Sequence, residues 1–192
     1  MKLLVSNSGL LKSVRSLMLG LSMAVACVSA ISTSAYAVSA TDADGRSVAL
    51  NAPGKISVVL YLNGDLEDES RKVSQGLDGY IGRGDFQCVR VVDLRGDVPP
   101  VARQSVQKET LKQLDREATR LTSVYKKHGF SGSPRQDLST ILDFQGSTLK
   151  ALGWNQKASS VMAIIYNKKG DEVKRLDSVT SAGQITSAIK GL

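Results

Sequence analysis

The sequence predicts an α/β fold, a three-layer sandwich in which a mixed central sheet is flanked by helices. Three observations predict it. Residues 56–62 form an almost continuous apolar run, which is typical of a strand buried on both faces. The strongest helical periodicity lies in residues 104–128 and marks an amphipathic helix that packs one stripe on a sheet. Two late strands joined by a polar turn at 167–171 predict a hairpin, so the sheet mixes parallel and antiparallel neighbours.

Residues 1–37 are predicted to be a secretory signal peptide. Three basic residues and no acidic residue precede or flank a short apolar segment, which is too short to cross about 30 Å of hydrocarbon. The tripeptide 35–37 fits the small-x-small rule of signal peptidase, so cleavage is expected after Ala37. The mature chain is then residues 38–192, a soluble domain of the periplasm with no membrane span.

An alternative processing route acts at Cys27. The tetrapeptide 24–27 resembles a lipoprotein box, and acylation of Cys27 would anchor the protein to a membrane. Such boxes usually have leucine three residues before the cysteine, whereas this chain has Ala24, so cleavage after Ala37 is favoured. Cleavage after Ala37 removes Cys27 and leaves Cys88 as the single cysteine of the mature chain, which excludes an intramolecular disulfide there.

The net charge of the domain is modest. The whole chain carries +7, but the first 37 residues hold three of its 25 basic residues and none of its 18 acidic ones. The remaining 22 basic residues exceed the acids by four and are spread along the chain. No aromatic residues interleave with them, so a nucleic-acid partner is not expected, and we interpret these charges as solvated surface.

The first half of the domain is predicted as a hairpin, a strand, a helix and a strand. The hairpin occupies residues 38–55, with a turn at 42–45, and the strand at 56–62 follows it. Residues 65–82 form a helix that opens with acidic side chains and is weakened by Gly76 and Gly79. The strand at 86–94 has Cys88 near its centre.

The second half begins with the long helix at 104–128, which Gly129 ends in a left-handed conformation. A loop at 130–136 leads to strands at 140–144, 161–166 and 173–176. The last helix opens with Ser181 and Gln184 in capping-box spacing.

Taken in order, these elements resemble the thioredoxin-like fold, in particular the exported branch related to alkyl hydroperoxide reductase and TlpA-type proteins. That branch has a D-x-D-G-x-x-V-x-L hairpin, a G-K pair before the first core strand and a later D-x-x-G turn. The matching residues here are Asp42, Asp44, Gly45, Val48, Leu50, Gly54, Lys55, Asp143 and Gly146. The C-terminal portion, with Leu142-Asp143, Ser159-Ser160-Val161 and Lys169-Gly170, looks most like the small periplasmic YtfJ-type family. The resemblance covers residues 42–192 and implies a thioredoxin-like three-layer sandwich.

One departure from that resemblance bears on function. Redox-active relatives carry C-x-x-C, or one peroxidatic cysteine, at the start of the helix after the first core strand, where the helix dipole lowers the thiol pKa. Here residues 62–68 contain no cysteine, and Asp65 and Glu67 stand there instead. The cis-proline that faces the dithiol is also replaced, by Ser159 and Ser160. The resemblance thus implies a redox-inactive binding or accessory protein, with a periplasmic protein or peptide as partner.

The alternative function is that of a thiol-dependent peroxidase or disulfide oxidoreductase that uses Cys88 alone. Cys88 lies within an apolar strand, with Arg90 as its only basic neighbour, and not at a helix start. A buried cysteine that behaves as a small hydrophobe is favoured, so no catalytic residue is assigned.

Other candidate residues have structural interpretations as well as functional ones. His128 is the only histidine of the sequence, which excludes a multi-histidine metal site. We place it at the C-terminus of the long helix, as a cap. The acids at 65–69 could hold a divalent cation, but compensation of the helix dipole explains them. Trp154 is expected to be partly exposed, either at the core edge or on a binding surface. No cofactor-binding or metal-ligating residue is assigned.

Overall fold

The structure, a computed structural model, describes residues 37–192. The predicted signal peptide up to Tyr36, and Cys27 within it, lie outside the described residues. In the described part no helix is both long enough and apolar enough to span a bilayer.

The domain begins with the predicted hairpin, formed by β1 (Ser39–Thr41) and β2 (Ser47–Ala49) in antiparallel register. Its turn is held by the buried carboxylate of Asp42, which accepts hydrogen bonds from the backbone N–H groups of Asp44 at 3.0 Å and Arg46 at 2.9 Å. Gly45 adopts φ +82°, a conformation that favours glycine.

A five-stranded mixed sheet forms the centre of the domain, as predicted. Its strands are β3 (Ile56–Asn63), β4 (Phe86–Asp93), β5 (Leu138–Asp143), β6 (Met162–Tyr166) and β7 (Glu172–Leu176), in the order β5-β4-β3-β6-β7. The first three are parallel, whereas β6 and β7 are antiparallel to their neighbours. All eight residues of β3 are buried, which confirms the central strand, while β7 is an outer strand with four of its five residues exposed.

Helices cover one face of the sheet. They are α1 (Glu67–Gln75), α2 (Arg103–His128) and α5 (Ala182–Ile189). The long helix was predicted to within one residue, and Gly129 ends it at φ +66°. At α5, the Gln184 side chain accepts a hydrogen bond from the backbone N–H of Ser181 at 3.1 Å, which is one half of the predicted capping box.

Three features of the helices differ from the prediction. The helix expected over 65–82 spans only Glu67–Gln75, and the glycine that follows it lies where a β-carbon would overlap that of Ala182. The loop expected over 130–136 contains the helical turn α3 (Pro134–Asp137), and a short helix that was not predicted, α4 (Ser147–Ala151), follows β5.

Side chains alternate between two faces of the sheet, each with its own apolar cluster. We refer to the side covered by α1, α2 and α5 as the helix face. The opposite side, covered by the β1–β2 hairpin, α4 and Trp154, is the hairpin face. On β4, Cys88, Arg90 and Val92 point to the helix face, and Val89, Val91 and Asp93 point to the hairpin face.

Candidate functional site

The start of α1 is the position at which the resemblance places a redox cysteine. Asn63 ends β3, and its side-chain oxygen accepts a hydrogen bond from the backbone N–H of Leu66 at 3.2 Å, which caps a 3-10 turn over Gly64–Leu66. The carboxylate of Glu67 then pairs with Arg71 at 2.9 Å. The helix start therefore carries acidic side chains and no thiol.

Across from this helix start lies the segment 156–160, where the cis-proline of the redox-active relatives is missing. The side-chain amide of Asn63 donates to the carbonyl of Ala158 at 2.9 Å, and the Tyr61 hydroxyl accepts a hydrogen bond from the backbone N–H of Ala158 at 3.2 Å. Every described peptide bond is trans, including those of Ser159 and Ser160. Two side chains of β3 thus hold the segment in place.

Cys88 lies in the middle of β4, on the helix face, and only 8% of it is exposed. Burial raises the pKa of its thiol to about 12, and the nearby charge of Arg90 only partly opposes this effect. At neutral pH the group is therefore a buried, protonated thiol, which matches the sequence-based placement within an apolar strand.

A group of polar side chains lies on the hairpin face, and we call Tyr61, Asp93 and Arg95 the closed cluster. The buried Asp93 carboxylate accepts hydrogen bonds from the Tyr61 hydroxyl at 2.9 Å and from the Arg95 side chain at 2.8 and 2.9 Å. Burial acts to raise the pKa of Asp93, but hydrogen bonds from Arg95 and Tyr61 outweigh it and hold that pKa below its usual range. Burial, followed by the bond to Asp93, raises the pKa of Tyr61 to about 12.

Trp154 packs onto this cluster. The sequence led us to expect a partly exposed side chain, but it is buried. Only 6% of it is exposed, its ring stacks on Tyr61 with centroids 5.0 Å apart, and the Arg175 guanidinium lies 5.2 Å from the centre of its ring. This tryptophan therefore belongs to the core edge of the hairpin face.

A cavity of about 240 Å³ opens on the helix face, at the carboxyl ends of β3, β4 and β5. We call it the Arg90 cleft. Most of the surface of its wall is apolar, and α2 closes it on the side away from the sheet. In open α/β sheets, ligands generally bind at the carboxyl ends of the parallel strands. The apolar residues that line the cleft are Leu62, Val92, Leu94, Val106 and Leu142.

Arg90 lies between this cleft and a second cavity of about 250 Å³. Its guanidinium makes no hydrogen bond and no ion pair with any residue that the structure describes. Burial lowers the pKa of Arg90, and the charges of Glu117 and Glu67 only partly oppose this effect. Both carboxylates are bonded to other arginines: Glu67 to Arg71 at 2.9 Å and Glu117 to Arg120 at 2.7 Å.

Thr140 lies beside Arg90, as its register partner on β5. It lines the same cleft and is 2% exposed, and within the described residues its hydroxyl oxygen has no hydrogen-bond partner. A buried hydroxyl without a partner costs about 1–3 kcal/mol of stability. The cleft therefore holds a cation and a hydroxyl whose hydrogen-bonding capacity the protein itself does not use.

His128 and the acidic residues near α1 have structural contacts. His128 is the last residue of α2, but its ring stacks on Phe130 at 5.3 Å between centroids, and the cap is the backbone N–H of Gly129, which bonds to the Tyr125 carbonyl. Asp68, like Glu67, pairs with Arg71. Among residues 37–192 no three potential metal ligands of the His, Cys, Asp or Glu type are grouped closely enough to share an ion.

The motifs behind the resemblance also have structural explanations. Asp143 is 3% exposed and accepts hydrogen bonds from the backbone N–H groups of Gly146 at 2.7 Å, Ser147 at 3.1 Å and Leu149 at 3.0 Å. The D-x-x-G turn is therefore the N-terminal anchor of α4, in the same way that Asp42 anchors the hairpin turn.

Sequence reasoning missed the importance of Arg90, which it noted only as a neighbour of Cys88. The available signal was one arginine inside the run Val89-Arg90-Val91-Val92, since a charged residue seldom occupies the middle of a strand with buried neighbours. What the sequence could not show is that the nearby carboxylates bind other arginines.

Comparisons with known proteins identify the fold. No protein-family model matches the chain, and no curated protein matches it. Among solved structures, the exposed lipoprotein thioredoxin Etrx1 from Streptococcus pneumoniae strain TIGR4 has a TM-score of 0.52 at 17% identity, over 80% of this chain and 98% of that chain. A secreted thiol-disulfide isomerase from Corynebacterium glutamicum also has a TM-score of 0.52, at 8% identity, over 79% of this chain and 80% of that chain. The chain has the thioredoxin-like α/β fold that the sequence predicted.

Proposed function

We propose that this chain is an exported thioredoxin-like protein without an active-site dithiol, and that it acts as a non-catalytic binding or accessory protein of the periplasm. One observation carries the proposal. The helix start at which this fold places a reactive cysteine bears Asp65, Glu67 and Asp68, while Cys88 is buried inside β4.

The chemistry of thiol exchange supports this assignment. The attacking species is an accessible thiolate, and its formation is helped by a helix N-terminus or a nearby cation. Cys88 has a pKa raised to about 12 and little exposed surface, and it has no second cysteine in the described chain to resolve a mixed disulfide. Each of these properties opposes catalysis.

Export is the second part of the proposal. It rests on the basic start, the short apolar segment and the Ala35-Tyr36-Ala37 site of the sequence. We expect protein isolated from an envelope fraction to begin at Val38, as measured by intact mass and N-terminal sequencing. A diacylglyceryl group on Cys27 would contradict the cleavage site and assign the protein to a membrane surface instead.

The catalytic question is tested with the mature protein and a Cys88→Ala variant. We expect neither protein to reduce insulin disulfides or to consume hydrogen peroxide with a thiol reductant. We also expect a thiol reagent to label Cys88 slowly in the folded protein near neutral pH, and rapidly in urea. Rapid labelling of the folded protein, or turnover that Cys88→Ala abolishes, would overturn the non-catalytic assignment and support an enzyme that uses Cys88.

A further inference from the structure

We propose that the Arg90 cleft binds a small amphipathic monocarboxylate, with its carboxylate on Arg90 and Thr140 and its apolar body against the wall formed by Leu62, Val92 and Leu142. This inference rests on the proposed binding function and specifies the class of ligand for it.

The charge on Arg90 is the first step of the argument. Arg90 is partly buried, and no carboxylate of the described residues bonds to its guanidinium, so its donors remain available to a ligand. Glu67 and Glu117 are bonded to Arg71 and Arg120, so neither neutralises Arg90 by direct contact. A guanidinium presents five N–H donors in a planar fork, which matches the two oxygens of a carboxylate.

The hydroxyl of Thr140 adds a second polar group at the same end of the cleft. Arg90 and Thr140 are register partners on adjacent parallel strands, so both side chains leave the sheet on the helix face at the same level. The unpartnered Thr140 oxygen can donate its O–H to a carboxylate that Arg90 holds. One anionic group would therefore satisfy both residues.

The size and the wall of the cleft indicate the rest of the ligand. Its volume of about 240 Å³ accommodates about eight water-sized groups and lies below the range of about 300–1,000 Å³ that is typical of drug-sized ligands. Five apolar side chains line it, and burying an apolar body against them is favourable in proportion to the apolar area removed from water. An inorganic anion could not use this wall.

The charges at the rim favour a single negative charge on the ligand. Glu67 and Glu109 also line the cleft and would repel a dianion such as a phosphate ester. The second cavity contributes three further arginines, but these are already paired: Arg71 with Glu67, Arg116 with Glu109 and Arg120 with Asp78. Among the arginines of the two cavities, Arg90 is the one that has a full set of donors to offer.

The test is calorimetric titration of the mature protein with three probes. Octanoate has both the carboxylate and the apolar chain, 1-octanol has the chain without the charge, and acetate has the charge without the chain. We expect octanoate to bind at one site, and each of the other two probes to bind at least about tenfold more weakly.

Three variants separate a ligand contact from a structural role. We expect Arg90→Met to weaken octanoate at least about tenfold while leaving 1-octanol unchanged, and Thr140→Val to weaken octanoate about threefold. The control is Arg83→Met, which removes an arginine that pairs with Asp85 at 3.0 Å on the surface. We expect it to bind octanoate as the unmodified protein does.

A second measurement does not depend on any variant. In methyl NMR spectra of the unmodified protein, octanoate should shift the signals of Leu62, Val92 and Leu142 and leave those of Val59 and Ile164 on the hairpin face in place. Absence of octanoate binding at millimolar concentrations, or binding that Arg90→Met does not weaken, would overturn the ligand class. Thiol turnover that depends on Cys88 would instead overturn the proposed function, so the two failures can be told apart.

Discussion

Two polar groups on β4 lie three residues apart and therefore point to opposite faces of the sheet. On the hairpin face, Asp93 accepts hydrogen bonds from both Tyr61 and Arg95, so the closed cluster is satisfied by the protein alone. On the helix face, Arg90 and Thr140 lie in the Arg90 cleft without a hydrogen-bond partner among the described residues.

The comparison shows that burial does not by itself reveal the role of a polar side chain. A buried polar group with all its hydrogen bonds made holds a structure together, and removing one partner leaves the others unsatisfied. A buried polar group without partners lowers stability, and proteins commonly accept such a cost where a ligand binds. Substitutions in the two regions should therefore have opposite effects on stability.

The largest effect is expected in the closed cluster. We expect Asp93→Ala to lower the free energy of unfolding by about 3–5 kcal/mol, because it leaves the Tyr61 hydroxyl and the Arg95 guanidinium without their shared acceptor. Urea unfolding, followed by circular dichroism, measures the change. The matched control is Asp97→Ala, which removes an exposed ion pair with Lys157 at 2.7 Å and should cost less than about 1 kcal/mol. Equal losses in the two variants would contradict the assignment of a closed cluster.

In the Arg90 cleft, we expect substitution to raise the free energy of unfolding rather than lower it. We expect Arg90→Met to raise the free energy of unfolding by about 1–2 kcal/mol, because it replaces an unpaired, partly buried cation with an apolar chain of similar length. The same urea experiment without any added carboxylate measures this gain. A loss of stability instead would show that Arg90 makes structural contacts in solution, and the contrast between the two faces would fail.

Tyr61 allows the closed cluster to be probed with pH. Since its folded pKa of about 12 lies above the ordinary value of 10.0, its contribution to stability is complete below pH 10 and is lost as the pH rises toward 12. We expect Tyr61→Phe to cost about 1–2 kcal/mol at neutral pH and to flatten the fall in stability over this interval.

Burial also raises the pKa of Cys88 to about 12, so the alkaline experiment is carried out with Cys88→Ala in both the reference protein and the variant. Stability curves measured from pH 8 to pH 12 provide the comparison. If the stability curves of the reference protein and the Tyr61→Phe variant remain parallel above pH 10, the folded protein does not raise the pKa of Tyr61, and the assignment of the closed cluster is wrong.

The smallest effect is expected for Thr140→Val. The substitution keeps the shape of the side chain and removes a hydroxyl that has no partner, so we expect stability to rise by about 1 kcal/mol. Thermal unfolding of the ligand-free protein measures the change. A decrease would indicate that the hydroxyl is satisfied in solution, for example by an ordered water molecule.

Much of the fold could be predicted because local patterns agreed with the final packing. The almost continuous apolar run of β3 requires burial on both faces of a sheet, and the helical spacing of apolar residues in α2 requires one buried helix face. Both elements were predicted to within one residue. The chain just after α1 passes close to α5, with Gly76 against Ala182, and the Trp154 ring is buried against that of Tyr61. Both contacts join distant parts of the chain, which sequence patterns do not specify.

One part of the candidate site could be predicted from the sequence and the other could not. The missing redox cysteine is a property of the sequence, so its absence at the start of α1 could be predicted directly. The Arg90 cleft could not, because its significance depends on where other charges lie. Whether Arg90 is paired is decided by Arg71 and Arg120, which take the two nearby glutamates and come from different helices.

The outer strand β7 has a consequence for how this protein behaves when it is concentrated. An edge strand offers unpaired backbone groups to the strands of other molecules, which is a common route to aggregation. Here that strand carries the exposed charges of Lys174 and Arg175, and the register between β6 and β7 is broken near Ile165 and Tyr166, an irregularity of the kind that increases local twist. Both features discourage a flat sheet from growing by edge-to-edge addition, and they leave Val173 as the one apolar side chain exposed along that edge.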